Sequence, residues 1–131
     1  MDNLKKEGVI ILDFGSQYTQ LIARRIRENY VFSEVLSCDT SLEKIEAKNP
    51  RAIILSGGPS SVFSNDAPKF DKSILDIGIP ILGICYGLHL LVHHSGGIVD
   101  STGKGEYGFA EVVFENDTAI SKNMSLKSNV W

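Results

Sequence analysis

Apolar positions along this chain come in short unbroken runs, separated by stretches in which they return at helical spacing. Gly8-Val9-Ile10-Ile11-Leu12-Asp13 is the first run, closed by a carboxylate. Such a run marks a strand covered on both faces, as in a parallel sheet. Phe14-Gly15-Ser16 turns the chain, with Ser16 the expected N-cap. Tyr18, Leu21, Ile22 and Ile26 then fall on one side of a helix, and Arg24, Arg25, Arg27 and Glu28 on the other. Val31 to Leu36 is a second strand, more mixed because Ser33 and Glu34 interrupt it. Ser41 caps a short helix carrying Leu42, Ile45 and Ala47, which Asn49-Pro50 ends. Arg51 to Leu55 is a third buried strand. Asp66 and Pro68 are expected to open a helix through Phe70, Ile74 and Leu75, closed by Gly78. Ile81 to Ile84 reads as a fourth buried strand. The helix after it starts at Tyr86, carries Leu88, Leu90, Leu91, Val92 and His93-His94, and stops at Ser95-Gly96-Gly97. Ile98-Val99 and Gly108 to Phe114 read as short strands joined by Gly103-Lys104-Gly105. Beyond Glu115 the pattern is loop-like until Asn129-Val130-Trp131, which has the character of a strand's beginning.

Strands alternating with helices at these intervals imply right-handed βαβ units. The expected fold is α/β, a doubly wound and mostly parallel sheet with helices on both faces. Ligands of such sheets bind outside the carboxyl ends of the strands. The loops at Asp13, Ser56 and Cys85 are therefore expected on one rim.

Gly83-Ile84-Cys85-Tyr86-Gly87 has the Gly-x-Cys-x-Gly form of a nucleophile elbow, a strained strand-to-helix turn that presents a reactive side chain. Gly83 and Gly87 stand where a Cβ collides with the reversed backbone. Cys85 at a helix N-terminus meets the positive end of the macrodipole, which favours the thiolate. The Tyr86 N–H, not yet committed to the helix, is free to hold an oxyanion. The competing reading is a small cysteine packed at the end of a core strand; the two flanking glycines favour the nucleophile. Gly57-Gly58-Pro59 also has two readings. It is a tight strand-to-loop turn, or a place where bare backbone approaches a substrate carbonyl and supplies a second oxyanion donor.

Composition narrows the class. The 131 residues are 43% hydrophobic and 22% charged, ordinary for a globular domain. A net charge of −3 gives no electrostatic reason to expect nucleic acid or an anionic membrane. No apolar run approaches the roughly 20 residues that span a bilayer. Two cysteines, Cys38 and Cys85, do not make a disulfide framework, so a reducing cytoplasm is the expected compartment. The arginine cluster near Glu28 reads as a solvated helix face. A single Gly15 with no Gly-x-Gly-x-x-Gly argues against a dinucleotide site, and no metal site is expected.

Four stretches together resemble the class I glutamine amidotransferase domains of GMP synthases: Asp13 to Glu28, Leu55 to Val62, Gly83 to Gly87, and Glu106 to Val112. The elbow is common to class I amidotransferases, whereas the Gly15-Ser16-Gln17-Tyr18 start selects the GMP synthase type. The resemblance extends from Gly8 to Trp131. It implies hydrolysis of glutamine through a Cys85 thioester, with ammonia used to convert XMP to GMP. It also implies an oxyanion hole from the Gly58 and Tyr86 amides, with Gly57 and His89 at the substrate. The implied partner is an ATP-pyrophosphatase domain or subunit, which uses ATP and Mg; this domain itself is expected to need no cofactor.

Two departures qualify the match. The family usually has Gln four residues after the nucleophile, where this chain has His89, read either as tolerated variation or as a changed substrate contact. The family's His-x-Glu pair, which serves and orients the cysteine, does not occur in residues 1–131. The expectation is thus an incomplete amidotransferase domain over 1–131, feeble or inactive alone. The alternative is a non-catalytic pseudo-amidotransferase that docks on a partner or on its own copy. Another kind of elbow-cysteine hydrolase is disfavoured because its Cys is typically followed by His, and here by Tyr86.

Overall fold

The computed structural model describes residues 8–59, 65–100 and 108–131. The expected linker Gly103-Lys104-Gly105, the motif residues Ser60 to Val62, and Glu106-Tyr107 lie outside them. The chain divides into two compact units, Met1–Val99 and Asp100–Trp131.

The first unit is built on a four-stranded parallel sheet. Its strands are β1 (Val9–Asp13), β2 (Ser33–Ser37), β3 (Ala52–Leu55) and β4 (Ile81–Gly83), in the order β2-β1-β3-β4. β1 sits in the middle, with Val9 opposite both Ser33 and Ala52. Because side chains alternate along a strand, Ile10 and Leu12 of β1 and Ile53 and Leu55 of β3 share one face. There they pack with Ile45 of α2 (Leu42–Glu46), Ile74 of a 3-10 turn (Lys72–Asp76), and Tyr86 and Leu90 of α3 (Tyr86–His94). The opposite face carries α1 (Thr19–Glu28), so helices lie on both faces, as expected. α1 covers that face incompletely. An apolar groove of about 510 Å³ remains between its Leu21, Ile22 and Ile26 and, on the sheet side, Ile54, Leu82 and Ile84 just after β4.

The fourth strand corrects one expectation. Ile81 to Ile84 is not buried on both sides: β4 is an outer strand among the described residues, and Leu82 is 40% exposed. Its apolar run reflects a half-covered face rather than a central position. Three further differences concern where elements begin or whether they form. Ser16 is not the helix cap; Tyr18 occupies that position, and Ser16 Oγ accepts the Tyr18 N–H at 3.0 Å one turn earlier. The helix expected from Asp66 begins instead at Lys72 as a 3-10 turn, with Asp71 as its cap. Ile98-Val99 forms no strand. Ser41 does cap α2, accepting the Lys44 N–H at 3.4 Å. The arginine face of α1 is solvated: Arg24 and Arg25 both reach Glu28, at 3.4 and 2.9 Å, in exposed pairs of little energetic weight.

Asp71 ties two elements together. Its carboxylate accepts the Ser73 N–H at 3.1 Å, the Ser73 hydroxyl, and the Leu42 N–H at the start of α2 at 2.9 Å. The Ser73 hydroxyl first, and then the Leu42 amide, hold its carboxyl below the ordinary 3.8. All three bonds favour the ionised form in the folded state, so their stabilisation is present above the unfolded value and is lost as pH falls through the lowered one. The urea midpoint is expected to drop as pH falls from about 5 through the ordinary carboxylate range and below it, and Asp71→Asn should remove part of that drop. Parallel acid profiles for the two proteins would show that Asp71 has no such role.

The second unit is an antiparallel pair, β5 (Ala110–Val113) and β6 (Lys127–Val130), with Ala110 opposite Val130. Its edge-to-face pair Phe109–Trp131 has ring centroids 5.7 Å apart. The strand expected from Asn129 therefore exists but starts earlier, at Lys127.

Candidate active site

The carboxyl ends of β1, β3 and β4 each feed a loop into one cleft, and each loop is fixed by its own hydrogen bonds. After β1, Asp13 Oδ1 accepts the Gly15 N–H at 2.9 Å and the Thr19 hydroxyl at 3.0 Å. Gly15, at φ +97°, makes the reversal that this closure requires. After β3 comes Ser56, fully buried. Its N–H donates to the Leu12 carbonyl at 3.1 Å, and its own carbonyl accepts the Gly87 N–H at 3.1 Å. Its hydroxyl accepts the Phe14 N–H and donates to the Gly57 carbonyl, both at 3.0 Å.

After β4 the backbone reverses at Cys85, which has φ 52° and ψ −112° and caps α3. A non-glycine residue at such a φ stores strain that its surroundings must hold. The Gly87 N–H reaches the Ile84 carbonyl at 3.0 Å, and the His89 N–H reaches the Cys85 carbonyl at 3.1 Å. The glycines make the approach possible. A methyl on Gly83 would lie 2.7 Å from the Gly87 carbonyl oxygen, and one on Gly87 would lie 2.2 Å from that of Leu55.

The resulting cleft is about 420 Å³, walled by residues 15–18 and 57–59 with Cys85 between them. Cys85 is exposed, not sealed in the core. Gly57 faces it closely, since a Cβ there would stand 3.3 Å from the Cys85 Cβ. Gly58 lies on the same wall, its α-carbon so near the Phe14 carbonyl that a Cβ would approach to 2.2 Å. Tyr86 sits at the first helical position, where helix geometry offers its N–H no carbonyl one turn back. Its ring turns inward against Phe14, with centroids 5.2 Å apart. Burial, and then the neighbouring Cys38, push its phenol above the ordinary 10.0 and keep it neutral.

The structure thus brings Cys85, Gly57 and Gly58 to one cleft, with Tyr86 beginning the helix beside it. His89 is exposed one turn beyond Cys85 and is not among the cleft's lining residues. Cys38 is half-buried against the core; burial first, then Asp39, push its thiol above the ordinary 9.0. Sequence reasoning misses Ser16, Gln17 and Tyr18 as cleft residues, although the carboxyl-end rule already places their loop on this rim. It also misses Ser56, whose signal is a polar residue in an otherwise apolar approach to the glycines. Among the described residues no group of three or more His, Cys, Asp or Glu is placed to hold a metal ion. No described helix is long and apolar enough to cross a membrane.

Comparison with known proteins agrees with this fold. The family model for class-I glutamine amidotransferases matches residues 10–131. The GMP synthase (glutamine-hydrolyzing) of Campylobacter lari is 52% identical over 128 residues, covering 98% of this chain and 25% of that protein. The corresponding enzyme of Brachyspira hyodysenteriae is 53% identical over 125 residues, covering 95% of this chain and 24% of its own length. The chain therefore spans about a quarter of the curated relatives it matches. The crystal structure of a Thermoplasma acidophilum protein described as one subunit of a GMP synthase superposes with a TM-score of 0.77 at 25% identity, over 95% of this chain and 63% of its own. With a strand–cysteine–helix elbow facing a Gly-Gly loop, and a family match that begins in β1 and runs to Trp131, the chain belongs to the class-I glutamine amidotransferases.

Proposed function

We propose that this chain is the glutaminase part of a GMP synthase, with Cys85 the nucleophile toward the side-chain amide of glutamine. Attack forms an Sγ–carbon bond and moves the carbonyl π pair onto oxygen, where the Gly58 and Tyr86 N–H groups receive it. Collapse breaks the carbon–nitrogen bond once the nitrogen is protonated, releasing ammonia and leaving a glutamyl thioester. Water then cleaves the thioester to glutamate and restores the thiol. One observation carries the reading: an exposed cysteine at a φ of 52° opposes Gly57 across a cleft sized for a small molecule. The ammonia would serve conversion of XMP to GMP in an ATP-pyrophosphatase domain or subunit, in keeping with the names of the relatives. ATP and Mg would act there.

The three histidines of the sequence form no His-x-Glu pair. Protonation of the departing nitrogen is therefore assigned to a group outside these residues, and glutamine turnover by this chain alone should be slow. A glutamate γ-(4-nitrophenyl) ester removes that demand, because its leaving group departs without a proton. One equivalent of nitrophenolate per chain is expected as a rapid burst, followed by slow turnover. Absence of the burst would overturn the nucleophile assignment. Ammonia release from glutamine as fast as that of full-length relatives would overturn the assignment of the acid elsewhere.

A further inference from the structure

Ser56 is the buried junction at which all three site loops meet. Its backbone joins β1 through the Leu12 carbonyl and the elbow through the Gly87 N–H, each at 3.1 Å. Its hydroxyl accepts the Phe14 N–H and donates to the Gly57 carbonyl, each at 3.0 Å. That last bond bears on the chemistry. The Gly57 carbonyl and the Gly58 N–H belong to one peptide unit, and in a trans peptide the two point in opposite directions. A donor that holds the carbonyl toward the buried hydroxyl therefore turns the N–H away from it. Both glycines line the cleft, and no Cβ sterically fixes the plane of this peptide.

Resting on the glutaminase reading above, we infer that Ser56 is a positioning residue that locks the Gly57–Gly58 peptide with its N–H aimed into the cleft, ready for the oxyanion. Without the hydroxyl the peptide is free to rotate, and the oxyanion meets one fixed donor instead of two. The cost should fall on transition states that build charge on oxygen, and on no others.

Two reactions of Cys85 separate those cases. Acylation by the nitrophenyl ester develops an oxyanion, whereas alkylation by iodoacetamide displaces iodide from a saturated carbon and develops none there. For Ser56→Ala the acylation rate constant is expected to fall on the order of 100-fold, with the saturating ester concentration little changed and Cys85 alkylation within about two-fold of the parent. A peptide loosened in general would slow or speed both reactions together, and an unchanged acylation rate would leave Ser56 without a role at the oxyanion; either result overturns the inference. Ser56→Cys keeps most of the volume with a much weaker donor and carries the same test should the alanine variant unfold. If both variants unfold, Ser56 serves the fold and the inference falls. Absence of a burst from the parent chain itself would instead count against the glutaminase reading, so the two failures are distinguishable.

Discussion

Cys85→Ala is expected to abolish both the nitrophenolate burst and covalent capture by a γ-diazoketone analogue of glutamine, while Cys38→Ala leaves both intact. Loss of an attacking group typically removes close to the whole of the chemical rate enhancement, about a millionfold in well-studied hydrolases. The same contrast should hold without any substrate. Cys85 is exposed on the cleft, whereas Cys38 is half-buried and its thiol is pushed up by burial and by Asp39. Peptide mapping after brief iodoacetamide treatment at neutral pH should find Cys85 modified about ten-fold faster or more. Equal labelling of the two cysteines, or capture that survives Cys85→Ala, would remove the basis for placing chemistry at the elbow.

Gly87→Ala is expected to be the most damaging single methyl addition in the first unit. The new Cβ would stand 2.2 Å from the Leu55 carbonyl oxygen and 2.6 Å from the Leu55 side chain, in a strand that cannot retreat without disturbing β1. Overpacking costs about 1–3 kcal/mol and occasionally more, and a contact this short against backbone falls at the upper end, a large share of the roughly 5–15 kcal/mol that holds a domain folded. Gly78→Ala provides the comparison. Gly78 has φ +83° but nothing within 4 Å of its would-be Cβ, so only the backbone penalty of about 1–2 kcal/mol applies. Urea titration of the two variants should separate them clearly. A Gly87→Ala midpoint no lower than that of Gly78→Ala would show that the close approach of α3 to β3 yields easily.

The parts of the fold written in local chemistry are readable from the residues alone. Unbroken apolar runs place β1 and β3, Ser41 announces its helix, and the two glycines around Cys85 announce the elbow. Errors arise where a distant partner decides the outcome. Asp66 and Pro68 carry the marks of a helix start, yet Asp71 takes that role because it also receives the Leu42 amide from α2. Ile81 to Ile84 is as apolar as a central strand, and only the pairing order leaves it outermost among the described strands. The site divides in the same way. Cys85 and the Gly57-Gly58 pair are motif residues, whereas Ser56 gains its role from bonds to three separate segments, which no periodicity encodes.

The position of β1 also bears on how the molecule comes to be assembled. It is the first of these strands to leave the ribosome, yet it is the middle of the sheet, so neither of its edges can be satisfied locally. One waits for Ser33 to Ser37 and the other for Ala52 to Leu55. Each pairing closes a long loop before any ladder energy is gained, the situation that slows folding of parallel sheets. β4 can dock only on a β3 already in place. During synthesis, then, the turn that carries Cys85 is the last of the three loops to emerge, and the reactive sulfur acquires its geometry only once β3 offers an edge to dock on.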